Sequence, residues 1–140
     1  MKVLLAVDGS RYTKRMLAYV AAHDELFGPG HQYTAVAATP EIPPHVRSYL
    51  DRAALDEYYD SEARDILEPV VAFFAQKKLP LSTLRPVGNA GEVIAETATA
   101  GGFDLIVMGS HGHSSIGSLV LGSVTARVLA RCKTPLLVVR

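Results

Sequence analysis

Residues 109–125 read GSHGHSSIGSLVLGSVT, rich in glycine and hydroxyl side chains and without a single Lys, Arg, Asp or Glu. Within it, Gly109, Gly112, Gly122 and Ser123 are spaced as G-x2-G-x9-G-S. Glycine has no Cβ, so backbone N–H groups at these positions can come close to a ligand. Gly122-Ser123 falls where the pattern predicts that a helix opens. A helix N-terminus presents unpaired N–H groups and a partial positive charge. Ser123 and Thr125 add hydroxyl donors. The chemistry suited to such a segment is phosphate binding by amides and hydroxyls, without a lysine. It is neither a Walker P-loop, which needs G-x4-G-K-[ST], nor the dinucleotide fingerprint G-x-G-x-x-G. The alternative is a loop that merely reverses the chain; a preceding strand and a following helix argue for the phosphate reading.

A second polar turn, Asp8-Gly9-Ser10, follows the apolar run KVLLAV. Asp8 has two readings, as a ligand for a polar group in a crevice or as a helix-cap partner of Ser10. Other candidates carry less chemistry. His111 and His113 lack a nearby third ligand, so no metal site is assigned. Arg11, Lys14 and Arg15 read as the solvated face of a helix, or as a group able to reach outward phosphates. Tyr58 and Tyr59 read as surface or packing residues, and Cys132 as buried and inert. A G-x-S-x-G nucleophile elbow and a metalloprotease helix are both absent. The glycine segment offers no Asp or Glu as a base for water. No catalytic residue is assigned, and efficient hydrolysis of a bound phosphate compound is not expected.

These turns need elements to hold them. KVLLAV (2–7) reads as a strand buried on both faces. Ser10 caps a helix whose buried stripe is Leu17, Val20 and Ala21, stopped by Gly28-Pro29-Gly30. YTAVAA (33–38) is a second strand, and TPEIPPHVR a loop because of its prolines. Residues 49–78 turn helical and charged, with a kink or break expected at Pro69. LSTLRPV (81–87) is a third strand, at a sheet edge or ending at Pro86. Asn89 and Glu92 open a helix as in a capping box, and Gly101-Gly102 closes it. FDLIVMG (103–109) is the fourth strand, a last helix runs from about Gly122 to Arg131, and PLLVV (135–139) is the fifth strand. Strands alternating with helices imply an α/β fold, an open parallel sheet with helices on both faces. Ligands bind such sheets beyond the carboxyl ends of the strands. If strands one and four are neighbours, the two polar turns face each other across a crevice.

Composition narrows the function classes. The chain has 140 residues, suited to one domain spanning 1–140. Lys+Arg and Asp+Glu are both 14, for a net charge of zero, which argues against a general nucleic-acid binder. One cysteine permits no intrachain disulfide, and a reducing, cytoplasmic setting is the simpler expectation. The opening apolar run is too short for a signal peptide, and none reaches the roughly 18 residues of a membrane helix.

The sequence resembles the universal stress protein family along its whole length. The resemblance is carried by VLLAVDGS, GNAGEVIAETA, DLIVMGSHG, LVLGSVTARVL and TPLLVV, and by the G-x2-G-x9-G-[ST] pattern of the family's ATP-binding subgroup. It implies a Rossmann-like five-stranded parallel sheet in order 3-2-1-4-5, ATP binding, and a homodimer through the last strand. By position it implies that Asp8 meets the adenosine, flanked by Ala6 and Val7. Ala37, or a neighbour in YTAVAA, meets adenine through its backbone. Met108 and Gly109 form the turn after the fourth strand, and Gly112, Gly122, Ser123 and Val124 hold the phosphates. Magnesium would be held mainly by those phosphates. Where the family commonly has Arg or Lys after SHG, this chain has His113, and ATP affinity is then expected to rise below about pH 6.5. Slow ATP turnover or self-phosphorylation at Ser110, Ser114, Ser115, Ser118 or Ser123 is the enzymatic alternative the resemblance suggests. Adenylyl transfer is disfavoured because the HxGH and SGGxDS signatures are missing. A nucleotide-free interaction dimer and, more distantly, a flavin or dinucleotide carrier complete the alternatives.

Overall fold

The computed structural model describes residues 1–113 and 120–140. Its strands are β1 (Lys2–Ala6), β2 (Gln32–Val36), β3 (Leu81–Leu84), β4 (Leu105–Gly109) and β5 (Leu136–Val139). They form one parallel sheet in the order β3-β2-β1-β4-β5. The helices are α1 (Arg11–Ala22), α2 (Pro44–Arg47), α3 (Arg52–Gln76), α4 (Ala90–Ala100) and α5 (Ser123–Arg131).

The central strands are short apolar runs because both of their faces are covered. Val3, Leu5 and Val7 point to one face, where Met16, Leu17 and Val20 of α1 pack with Ala63, Leu67, Val70 and Phe74 of α3. Leu4 and Ala6 point to the other, against Ile94 and Ala98 of α4 and Val128 of α5. This alternation is the period-two geometry of a strand. On the first face the Tyr33 ring packs at a tilt on Phe74 (centroids 5.1 Å apart), and its hydroxyl donates to the Gly28 carbonyl (2.8 Å). Burial, with a smaller contribution from Asp24, raises the Tyr33 phenol above its ordinary pKa.

Several expectations need correction. Ala21 is only half-buried, and the stripe of α1 is Tyr12, Thr13, Met16, Leu17 and Val20. That helix ends at His23, ahead of the Gly-Pro-Gly segment. Helix α3 runs unbroken through Pro69. The proline-rich loop contains the single turn α2, with Pro44 at its start, where a missing N–H costs nothing. Strand β3 does lie at the sheet edge and ends before Pro86.

Candidate functional site

Strands β1 and β4 are neighbours, with Ala6 opposite Met108. The two polar turns therefore meet beyond the carboxyl ends of adjacent strands. Helix α1 leaves this end through Asp8-Gly9-Ser10. Gly9 has φ of 75°, a conformation that favours glycine. Asp8 Oδ1 accepts from the Ser10 N–H (2.9 Å) and the Thr13 hydroxyl (3.0 Å), and Thr13 accepts from the Asp8 N–H (3.1 Å). Ser10 itself caps α1 by accepting from the Tyr12 N–H. One carboxylate oxygen thus shapes the turn. The other, Oδ2, faces Gly112, where an added Cβ would stand 2.6 Å from it. His113 closes the same corner, with Nε2 2.6 Å from the Asp8 carbonyl oxygen.

The opposite wall is the start of α5. The Gly122 N–H donates to the Ser110 carbonyl (2.7 Å), and a Cβ on Gly122 would lie 3.1 Å from both His111 Cα and Ser110 O. Ser10, Asp51 and Asn89 cap α1, α3 and α4 with their side chains, but Gly122 has none to offer. The leading amides of α5, at Ser123 and Val124, thus start a helix whose cap residue supplies no acceptor side chain. Thr125 does not join them as a ligand donor. It is buried, and its hydroxyl donates to the Gly109 carbonyl (3.2 Å), tying α5 to the end of β4.

The remaining predicted residues line this end from below. The Ala6 and Met108 side chains lie in the apolar cluster under α4 and α5, with Val124 packed on it, while Val7 and Ala37 face the α1 and α3 side. They can meet a ligand only through their backbones. The Ala37 N–H is committed to the Leu84 carbonyl (3.0 Å) and that of Thr39 to Pro86 (3.0 Å). Strand-like alternation between these two amides would point that of Ala38 away from β3.

Tyr12 was not singled out from sequence. It is buried, Gly109 packs on its Cβ so closely that a Cβ there would sit at 2.6 Å, and its ring lies 5.3 Å from that of His111. The signal was the i, i+4 step from Tyr12 to Met16 within α1. Ser110 is buried with its hydroxyl 2.9 Å from His111 Nδ1, while Ser123 is exposed. Ser114, Ser115 and Ser118 lie outside the described residues. Cys132 is half-buried rather than fully buried, and the Tyr59 hydroxyl accepts from the Ile42 N–H (2.9 Å). A separate cleft of about 420 Å³ lies between α3 and the end of β3, where Asp60 pairs with Arg85 (3.3 Å), and none of the residues expected to bind the nucleotide lines it. Among the described residues, no helix is long and apolar enough to cross a membrane.

Comparison with known proteins agrees with this architecture. A universal stress protein from Thermus aquaticus is 30% identical over 138 residues, covering 99% of this chain and 97% of its own. Universal stress protein Slr1230 from Synechocystis sp. is 32% identical over 139 residues, and the chain spans only 42% of that longer relative. Among solved structures, MJ0577 of Methanocaldococcus jannaschii superposes with a TM-score of 0.79 at 24% identity, covering 99% and 94% of the two chains. An Arabidopsis thaliana family member with AMP bound gives 0.70 at 14% identity (99% and 90% covered). An Archaeoglobus fulgidus universal stress protein in complex with dAMP gives 0.69 at 19% (100% and 98%). The sequence model of the universal stress protein family matches residues 1–140, and the chain belongs to that family.

Proposed function

We propose that residues 1–140 form one ATP-binding domain that acts as a nucleotide-dependent module in a stress response. The observation that carries this reading is the glycine cradle. Gly112 lies against Asp8 Oδ2 and Gly122 against the His111 backbone, each so close that a Cβ would fill the gap. Beside them, α5 begins without a capping side chain. Phosphate oxygens are suited to that helix start, with Ser123 adding a hydroxyl. Asp8 Oδ2 is suited to a ribose hydroxyl, and the strand end at Ala37-Ala38 to adenine. Magnesium would be carried on the phosphates. The AMP and dAMP complexes of the two family members support an adenine nucleotide as ligand class. We assign ATP because the G-x2-G-x9-G-S spacing of Gly109, Gly112, Gly122 and Ser123 is the one that the family's ATP-binding subgroup carries. The chain is proposed to work as a homodimer through β5.

The test is direct. The protein is purified without added nucleotide and denatured, the released small molecules are identified by mass spectrometry, and the protein is then titrated with Mg·ATP. Bound or titratable adenine nucleotide is expected, with affinity lost in Gly122→Val, whose side chain would press on His111 and Ser110. A folded protein that neither releases nor binds nucleotide overturns the reading. Turnover well above background, lost in the same variant, would favour a slow ATPase instead.

A further inference from the structure

A mononucleotide would be fully served by Asp8, Gly112 and the start of α5. A triphosphate carries more negative charge than one helix N-terminus, equivalent to about half a positive unit, can balance. The order of the sheet says where extra phosphates would go. On the nucleotide reading the adenosine would lie between β1 and β2 and the inner phosphates beyond β4, and the next strand is β5. Helix α1 packs on β4 and β5, so its first turn borders the far side of the cradle.

Arg11 lies on that turn and Arg15 one turn further along the same face. The Arg11 guanidinium sits 5.0 Å from the Tyr12 ring centroid and Nη2 donates to the Tyr12 hydroxyl (3.1 Å); the Arg15 guanidinium sits 5.4 Å from the same ring. Stacking on an aromatic ring orients a guanidinium and leaves its N–H groups available to an anion. The ring is fixed in turn, buried against Gly109 and beside His111, whose Cα lines Gly122. A continuous row of contacts thus joins the cradle to the two arginines. Neither enters an ion pair among the described residues, whereas Arg52, Arg64, Arg85, Arg127 and Arg131 all do. The undescribed segment 114–119, SSIGSL, contains no carboxylate that could pair with them.

We propose that Arg11 and Arg15, held on Tyr12 beside His111, form the subsite for the terminal phosphate of a nucleoside triphosphate, so that the chain selects ATP over AMP. This rests on the nucleotide reading above and adds the residues that set phosphate number. The test compares ATP, ADP and AMP affinities, by calorimetry at fixed salt, for wild type, Arg11→Ala/Arg15→Ala and Lys14→Ala. Alanine is well tolerated on an exposed helix face, so the variants should fold. Wild type is expected to bind ATP more tightly than AMP. The double variant should lose about tenfold or more in ATP affinity, the loss of at least one charge-assisted contact, with AMP unchanged. Lys14→Ala removes a charge from the same turn without touching Tyr12 and should change the ATP-to-AMP ratio little. Equal wild-type affinities overturn the proposal, as do parallel losses for ATP and AMP, or an equal effect of Lys14→Ala. If wild type binds no nucleotide at all, the nucleotide reading falls and this assignment with it. If binding is intact and only the ratio fails to move, the assignment alone falls.

Discussion

Two glycines that look alike in the sequence do different work. A Cβ on Gly109 would meet Tyr12 Cβ at 2.6 Å and the Tyr12 backbone at 3.3 Å, so the close approach of α1 to β4 depends on its absence. A Cβ on Gly112 would meet only the tip of the Asp8 side chain and no backbone atom, although the Oδ1 hydrogen bonds to Ser10 and Thr13 limit how far that carboxylate yields. Gly109→Ala is therefore expected to cost about 1–3 kcal/mol of stability, as overpacking at a rigid contact does. Gly112→Ala should cost less stability than Gly109→Ala while weakening nucleotide binding at least several-fold. Paired thermal melts and titrations check this, and a Gly112→Ala protein destabilised as much as Gly109→Ala would refute the distinction. The spacing of the glycines, and the meeting of the Asp8-Gly9-Ser10 turn with the Gly109-Ser110-His111-Gly112 turn once β1 and β4 are neighbours, could be read from the chain. The commitments of Thr125 to Gly109, of the Ala37 amide to Leu84 and of His113 to the Asp8 carbonyl could not. Each depends on which neighbour a polar group meets across the sheet, and no local spacing encodes that.

Elements were legible where their signals were local and agreed. Ser10 and Asn89 cap α1 and α4 as their sequences predict, because a short polar side chain before an apolar stripe acts within three residues. Helix α3 is instructive. Proline removes one backbone donor and crowds the preceding turn, so the local expectation at Pro69 is a kink or a break, and of the two the break does not occur. Ala63, Leu67, Val70 and Phe74, at steps of four, three and four, bury one continuous stripe against the sheet. Breaking the helix would expose part of that stripe, and burial of such side chains is worth about 1.5–3 kcal/mol each. Pro69 itself is exposed and contributes nothing to the packed face. Pro69→Ala is accordingly expected to stabilise the fold by about 1–2 kcal/mol, the helix-propensity gain less the entropy proline removes from the unfolded chain. Chemical denaturation measures it, and a loss of stability would mean that the proline has a structural role the packing does not reveal.

Across the whole molecule, the two edges of the sheet are unequal. Strand β3 is bounded by Pro80 on one side and Arg85-Pro86 on the other, and prolines and charge discourage further pairing. Strand β5 has the sequence LLVV, without charge or proline, and Leu136, Leu137 and Val138 are only half-buried in the single chain. Its inner side is engaged with β4: the Ile106 N–H donates to Pro135 O (2.8 Å) and the Ser110 N–H to Val139 O (2.8 Å). Residues 135, 137 and 139 therefore turn their backbone groups inward, and alternation leaves the amides of Leu136 and Val138 on the open edge. An apolar edge with free donors is completed by another strand, and a second copy of β5 is the strand proposed here. Val138→Pro removes an outward donor without breaking the ladder to β4, since proline is tolerated on an edge strand with its nitrogen facing out. Light scattering after size exclusion is expected to give a dimer for wild type and a monomer for Val138→Pro, with circular dichroism unchanged. A monomeric wild type at micromolar concentration would overturn the dimer, and a variant that stays dimeric would place the contact elsewhere. The first measurement also bears on the strand-end site, because the Ser110–Val139 hydrogen bond joins the glycine turn directly to β5. A mate on that edge would hold in place the strand from which the turn hangs.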